Sequence, residues 1–260
     1  MPLAVQAIRA GCHVFCEKPL SDTLDGIDEL GQLVRELKRK FMVGLCFRYH
    51  QGALKVNELL KAGAIGRLVS IRALMGEHLP EVRPDYKSLF TAEYSGALDL
   101  THDLDLAISY ANQPIRSVQA LLGTYSDIGI RAPDVVEILI DFKDRCMASI
   151  HLDFFQRPRR RHMELVGTEG TIILEFSRWD QYTLSVYQTS RADWSHFTGQ
   201  TIRDDMFRDE DREFLVAVAE DRSVSCSIEE ACKSLLVVDA AQKAAGRGQI
   251  GSTGNSLASS

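Results

Sequence analysis

The run His13-Val14-Phe15-Cys16-Glu17-Lys18-Pro19 constrains the fold more than any other stretch, because it reads as a short buried strand ending on a carboxylate, an amine and a proline. Open α/β sheets bind their ligands at the carboxyl ends of such strands, so chemistry is expected near Lys18. The proline that follows is a candidate for a cis peptide bond. A doubly wound sheet should carry a glycine-rich first turn upstream, yet only sixteen residues precede Glu17. The chain reads as beginning in mid-domain.

The neighbouring segments extend the same sheet. Leu3 to Ala10 has helical spacing and ends at Gly11, a good place for a helix to stop. Ser21 or Asp22 can cap a helix running to about Lys40, and Phe41 to Phe47 is a continuous apolar strand of the parallel kind. Gln51 to Ala62 is helical and stops at Gly63. From there the pattern changes. Leu68 to Leu74 alternates as a strand with one wet face, and a long polar and aromatic connection between Gly76 and Ser95 suggests a binding loop. A helix over about Gly96 to Ala111 precedes six strands, near 117–124, 135–142, 148–154, 161–166, 170–176 and 182–187. Short turns between them imply an open, mostly antiparallel sheet. Helices over Asp209 to Glu220 and Ile228 to Ala245 follow, and the Gly, Ser, Thr and Asn rich end is expected to be disordered.

Composition narrows the function classes. With 260 residues, 45% of them apolar, the chain can bury a sizeable core, and its net charge of -6 argues against a nucleic-acid surface. The one dense cationic run, Arg157 to Arg161, reads as a solvated strand end. Six scattered cysteines form no CxxC pair and no zinc spacing, which fits reduced thiols in the cytoplasm. No apolar run approaches the ~18 residues of a membrane span, so neither export nor membrane insertion is expected.

One further constellation carries chemistry. Asp99, His102 and Asp105 recur every third residue, so on a continuous helix they share a face. A carboxylate beside an imidazole suits acid/base work on a hydroxyl or carbonyl. The bland alternative is a first helical turn whose acids suit the macrodipole, with one structural histidine. A metal site would need a third ligand, such as His78 or Glu77, and is not expected.

Taken together, Glu17-Lys18-Pro19, the later Cys46-Phe47-Arg48-Tyr49-His50, the Asp99 to Asp105 segment, Ala62-Gly63-Ala64-Ile65-Gly66 and Glu164 to Thr171 resemble the Gfo/Idh/MocA family of NAD(P)-dependent oxidoreductases. The resemblance extends from about Pro2 to Arg247. It implies an α/β plus α+β protein: the C-terminal remnant of a Rossmann parallel sheet over residues 1–48, then an open, mostly antiparallel β-sheet domain with helices on one face over residues 49–247, and a disordered tail at 248–260. By the same resemblance Lys18 lies beside nicotinamide and substrate hydroxyl, His102 is the acid/base, and Asp99 is its partner. Many members place those two four positions apart, whereas here the step is three. Glu17, Pro19 and Arg48 would shape the NAD or NADP pocket, and Asp105 matches the motif's second carboxylate. Tyr86, with Arg83 and Asp85, is placed at the sugar or polyol from position alone.

The implied activity is reversible hydride transfer between the nicotinamide and a sugar, polyol or related hydroxy compound, in a cytoplasmic enzyme whose open sheets pair in dimers or tetramers. One departure stands against it. No strand runs into a GxGxxG turn and a helix that could hold a pyrophosphate. Two explanations stay open: a fragment of a longer product, or a chain that obtains the missing surface from a partner. The alternative function is a non-catalytic binding or assembly module that has lost the dinucleotide.

Overall fold

The computed structural model describes residues 1–91 and 95–247, so the tail expected to be disordered lies outside the described residues. Two hydrophobic cores organise the chain. The smaller one is built on β1 (Val14–Glu17) and β2 (Phe41–Gly44), paired parallel with Val14 opposite Phe41 and Glu17 opposite Gly44. Helices α1 (Pro2–Arg9) and α2 (Ile27–Glu36) cover it through Ile8, Ile27 and Leu30. All four residues of β2 are buried, as expected of a strand covered on both faces.

Both ends of α2 fall inside the expected range. Ser21 and Thr23 turn their hydroxyls onto the backbone N–H groups of Thr23 and Asp25, which holds residues 21–26 in turns rather than helix. Gly26, at φ 75°, then opens the helix, and Lys38, at φ 50°, follows its end. The expected strand through Phe47 also stops early. Leu45, at φ -107° and ψ 58°, turns the chain into a 3-10 segment at Cys46–Tyr49.

The larger core lies on one face of an eight-stranded sheet. Its strands are β3 (Leu68–Gly76), β4 (Ile115–Gly123), β5 (Val135–Phe142), β6 (Met147–Asp153), β7 (Arg160–Gly167), β8 (Gly170–Glu175), β9 (Gln181–Gln188) and β10 (Asp193–Gln200). Their spatial order is β10-β9-β8-β7-β3-β6-β5-β4. Every neighbouring pair is antiparallel except β3 with β6, which run parallel with Ser70 opposite Met147. The strand β10 was not expected. Seven of its eight residues are exposed, so its sequence lacks the alternation that would mark it.

Helix α3 (Gln51–Lys61) is capped by His50, whose Nδ1 accepts from the Gly52 N–H at 3.1 Å. The long connection after β3 holds two single-turn helices, α4 (Leu79–Val82) and α5 (Tyr86–Leu89). The expected helix from Gly96 is divided: a 3-10 turn at Gly96–Asp99, then Leu100 at ψ 48°, then α6 (Thr101–Ala111). Two long helices complete the chain, α7 (Asp205–Ala219) and α8 (Ile228–Arg247). Helix α8 joins both cores, with Ile228, Ala231 and Leu235 in the smaller one and Val237 and Ala241 in the larger. Among the described residues no helix is long and apolar enough to cross a membrane.

Candidate active site

Glu17 and Lys18 stand at the carboxyl end of β1, where the parallel pair meets the larger domain, and the Lys18–Pro19 peptide bond is cis. Lys18 crosses this boundary. Its Nζ lies 3.1 Å from Asp99 Oδ1 and 3.0 Å from the Asp99 carbonyl oxygen. Both side chains keep some contact with solvent. They line a cleft of about 290 Å³ with Pro19, Leu98, Thr101 and Leu235.

His102 faces elsewhere. It lines a neighbouring cavity of about 250 Å³ together with Glu17, Glu77, Arg159, Arg161 and Glu210. The expected pair of His102 with Asp99 does not form, because the break at Leu100 takes Asp99 off the face of α6. His102 Nδ1 has no hydrogen-bond partner among the described residues. Burial, then the Arg161 and Lys18 charges, hold the imidazole well below the usual histidine range, so it is neutral at pH 7. The start of α6 thus separates the two hollows, with Thr101 in one wall and His102 in the other.

Arg48 and Asp105 lie in neither hollow. Arg48 Nε and Nη2 donate to Asp105 Oδ2 and Oδ1, each at 2.7 Å, and Arg48 Nη1 lies 3.5 Å from Glu230 Oε2. This two-pronged, buried pair ties the Cys46–Tyr49 turn to α6 and α8. Arg48 is therefore a brace behind the site's walls and does not itself line the cleft. The same contact takes Asp105 out of the expected substrate set. Tyr86 requires a correction too: it is buried, with its hydroxyl donating to the Ile128 carbonyl at 2.6 Å, so α5 turns it into the core. From the expected binding loop, Glu77 and Val82 line the cavity instead.

Several residues of the second cavity were not foreseen. Arg161 sits in a run read as solvated, but β7 alternates, and Arg161 shares the inward face with Met163 and Leu165. That period-2 pattern was the available signal. Its guanidinium stacks 3.9 Å over the Phe47 ring, and Nη2 lies 3.0 Å from Asp103 Oδ2. Arg159 pairs with Glu77 at 3.2 Å and packs 4.5 Å over Trp179, whose ring Arg203 also approaches at 5.0 Å. Burial, and then the charges of Glu17 and Asp211, push the Glu210 carboxyl up to about 8. A larger groove of about 610 Å³ between β4 and α8 carries none of the candidate residues.

Residues 1–45 match the family model described as "Oxidoreductase family, NAD-binding Rossmann fold", and residues 53–173 match the "GFO/IDH/MocA C-terminal domain". Among curated relatives, levoglucosan dehydrogenase of Pseudarthrobacter phenanthrenivorans is 26% identical over 223 residues, covering 74% of this chain and 56% of that protein. Myo-inositol 2-dehydrogenase of Thermotoga maritima is 25% identical over 252 residues, covering 93% and 72%. A solved structure of levoglucosan dehydrogenase in complex with NADH and levoglucosan superposes with a TM-score of 0.83 at 25% identity, covering 95% of this chain and 75% of that one. The match to the first of these relatives thus spans little more than half of its length.

Proposed function

The chain belongs to the Gfo/Idh/MocA oxidoreductase family, and from this premise we propose that it carries the substrate half and the nicotinamide end of an NAD(P)-dependent dehydrogenase acting on a sugar, polyol or related hydroxy compound. The observation that carries the reading is the placement of Lys18 and His102 on either side of the start of α6, at the carboxyl end of a parallel strand pair.

The cleft fits the nicotinamide end of the cofactor in its chemistry. Leu98, Leu235 and Val238 give apolar walls for a flat ring, while Lys18 and Ser21 supply donors at the rim. Thr101 Oγ1 is buried in the same wall without a hydrogen-bond partner among the described residues. When bound, the nicotinamide supplies hydride acceptance or donation.

The chain's own residues do the rest. Lys18 brings a cation into the cleft, close enough for its charge to act on His102, where it favours negative charge developing on a substrate oxygen. Asp99 holds that ammonium in place through two contacts. The neutral imidazole of His102, which lines the neighbouring cavity, accepts the hydroxyl proton during oxidation and returns it during reduction. Asp99 is thus a positioning residue for Lys18.

The six cysteines are free, which supports a cytoplasmic location. The uncovered face of the large sheet, with Leu121, Leu139 and Met147 exposed, supports pairing of two copies. The test is reduction of NAD⁺ or NADP⁺, followed by absorbance, with levoglucosan and myo-inositol as first substrates and Lys18→Ala as control. Turnover abolished by Lys18→Ala supports the reading. Turnover indifferent to that change would remove it.

A further inference from the structure

The cavity beside His102 holds more guanidinium than its neighbours satisfy. Arg161 has a side chain only 3% exposed, and its Nε and Nη1 have no hydrogen-bond partner among the described residues. Nη2 of Arg159 is buried and unpartnered in the same way. Both residues line the cavity, and Arg203 lines it from the segment before α7. Leaving a buried charged donor unmet is costly, and packing like charges together adds to that cost. An anion between the arginines removes both penalties.

The nearby carboxylates offset part of this charge but leave those donors unmet. Glu77 is engaged by Arg159 Nε at 3.2 Å. Asp103, behind the wall, forms an ion pair with Arg161 Nη2 at 3.0 Å. Glu210 is held largely protonated at pH 7 by its burial and by Glu17. Aromatic contacts hold the guanidinium groups in place, with Arg161 over Phe47 and both Arg159 and Arg203 against the Trp179 ring. Planar forks held in this way match a carboxylate. Glu17, the remaining acid of the wall and outside these pairs, opposes a second negative charge, which disfavours a phosphate dianion.

Resting on the oxidoreductase reading above, we propose that this cavity selects a substrate bearing a carboxylate, a hydroxy acid of monosaccharide size, held by Arg159, Arg161 and Arg203 with its hydroxyl-bearing carbon toward His102. The volume of about 250 Å³ suits a molecule of that size and little more. Neutral sugars leave the arginines unmet.

Calorimetry on the 260-residue chain tests this, with D-gluconate and D-glucuronate as acids, D-glucose and myo-inositol as neutral ligands, and D-glucose 6-phosphate as the dianion. The acids are expected to bind at least tenfold tighter than the neutral ligands and the phosphate. Arg203→Gln, at an exposed position, is expected to weaken the acids about tenfold and leave glucose unchanged. Arg159→Gln should act in the same direction, with circular dichroism confirming that both variants are folded. Equal or tighter binding of a neutral ligand or the phosphate, no acid binding by the folded chain, or equal loss for acids and glucose in the variants overturns the proposal. Nicotinamide fluorescence separates the two readings. Acid-selective binding without NADH binding removes the dehydrogenase and keeps the selectivity, whereas NADH binding with a preference for glucose does the reverse.

Discussion

Lys18 Nζ sits 3.1 Å from Asp99 Oδ1, so a side chain from the end of a parallel strand is held by a 3-10 turn of the other domain. Because both groups are partly solvated, this ion pair contributes little to stability, about 1 kcal/mol or less. Lys18→Ala should therefore leave the thermal midpoint within a few degrees of the parent while lowering kcat/KM by roughly 100-fold or more. Steady-state kinetics beside a melting curve checks both halves.

His102 titrates below the ordinary range, burial being the first cause and the Arg161 and Lys18 charges the next. A lowered pKa means that the base is lost only in stronger acid. The pH profile of kcat/KM should accordingly run flat through pH 6.5 and fall only well below it. A limb centred near 6.5 that disappears in His102→Asn would contradict this.

Glu210 carries the opposite shift. Its folded pKa of about 8 lies above the ordinary carboxylate value, so between roughly pH 4.5 and 8 the folded state holds a proton that the unfolded state has lost. Stability contributed by the protonated form is complete below that window and is lost as pH rises through it. Glu210→Gln should lie close to the parent at pH 5 and exceed it at pH 9 by about 4 kcal/mol. Urea unfolding at the two pH values measures the difference.

Asp105 faces Arg48 from a side chain only 2% exposed. Replacing it by Asn leaves a largely buried guanidinium with only the longer contact to Glu230, a loss of about 3 kcal/mol. The expected readout is a lower denaturant midpoint for Asp105→Asn. If the residue were instead a substrate ligand alone, KM would rise and the midpoint would stay.

Much of the architecture was legible because it rests on patterns that burial imposes directly. The fully apolar β2 and the alternating strands of the large sheet follow from which faces meet a core, whereas the strand before Lys18, read as buried, is half-buried over Val14 to Cys16 and exposed at Glu17. The site was less legible. Asp99 and His102 have helical spacing, and no glycine or proline marks the break at Leu100 that parts them. Arg161 looked solvated because its neighbours Arg157 and Arg160 are exposed, and only counting by twos from Leu165 reveals that it points inward. Tyr86 was placed by its position in a loop, and loop position says nothing about the direction of a single helical turn.

The parallel pairing of β3 with β6 has a consequence for how the chain acquires its shape. Ser70 finds its partner at Met147 on one side, and Leu68 finds its partner at Gly167 on the other. The strand at the middle of the sheet is thus made early in synthesis and hydrogen-bonded late, after two hairpin strands and the long connection have left the ribosome. Closing such distant pairs is slow, and until β7 arrives β3 stays an open edge that invites association with other nascent chains.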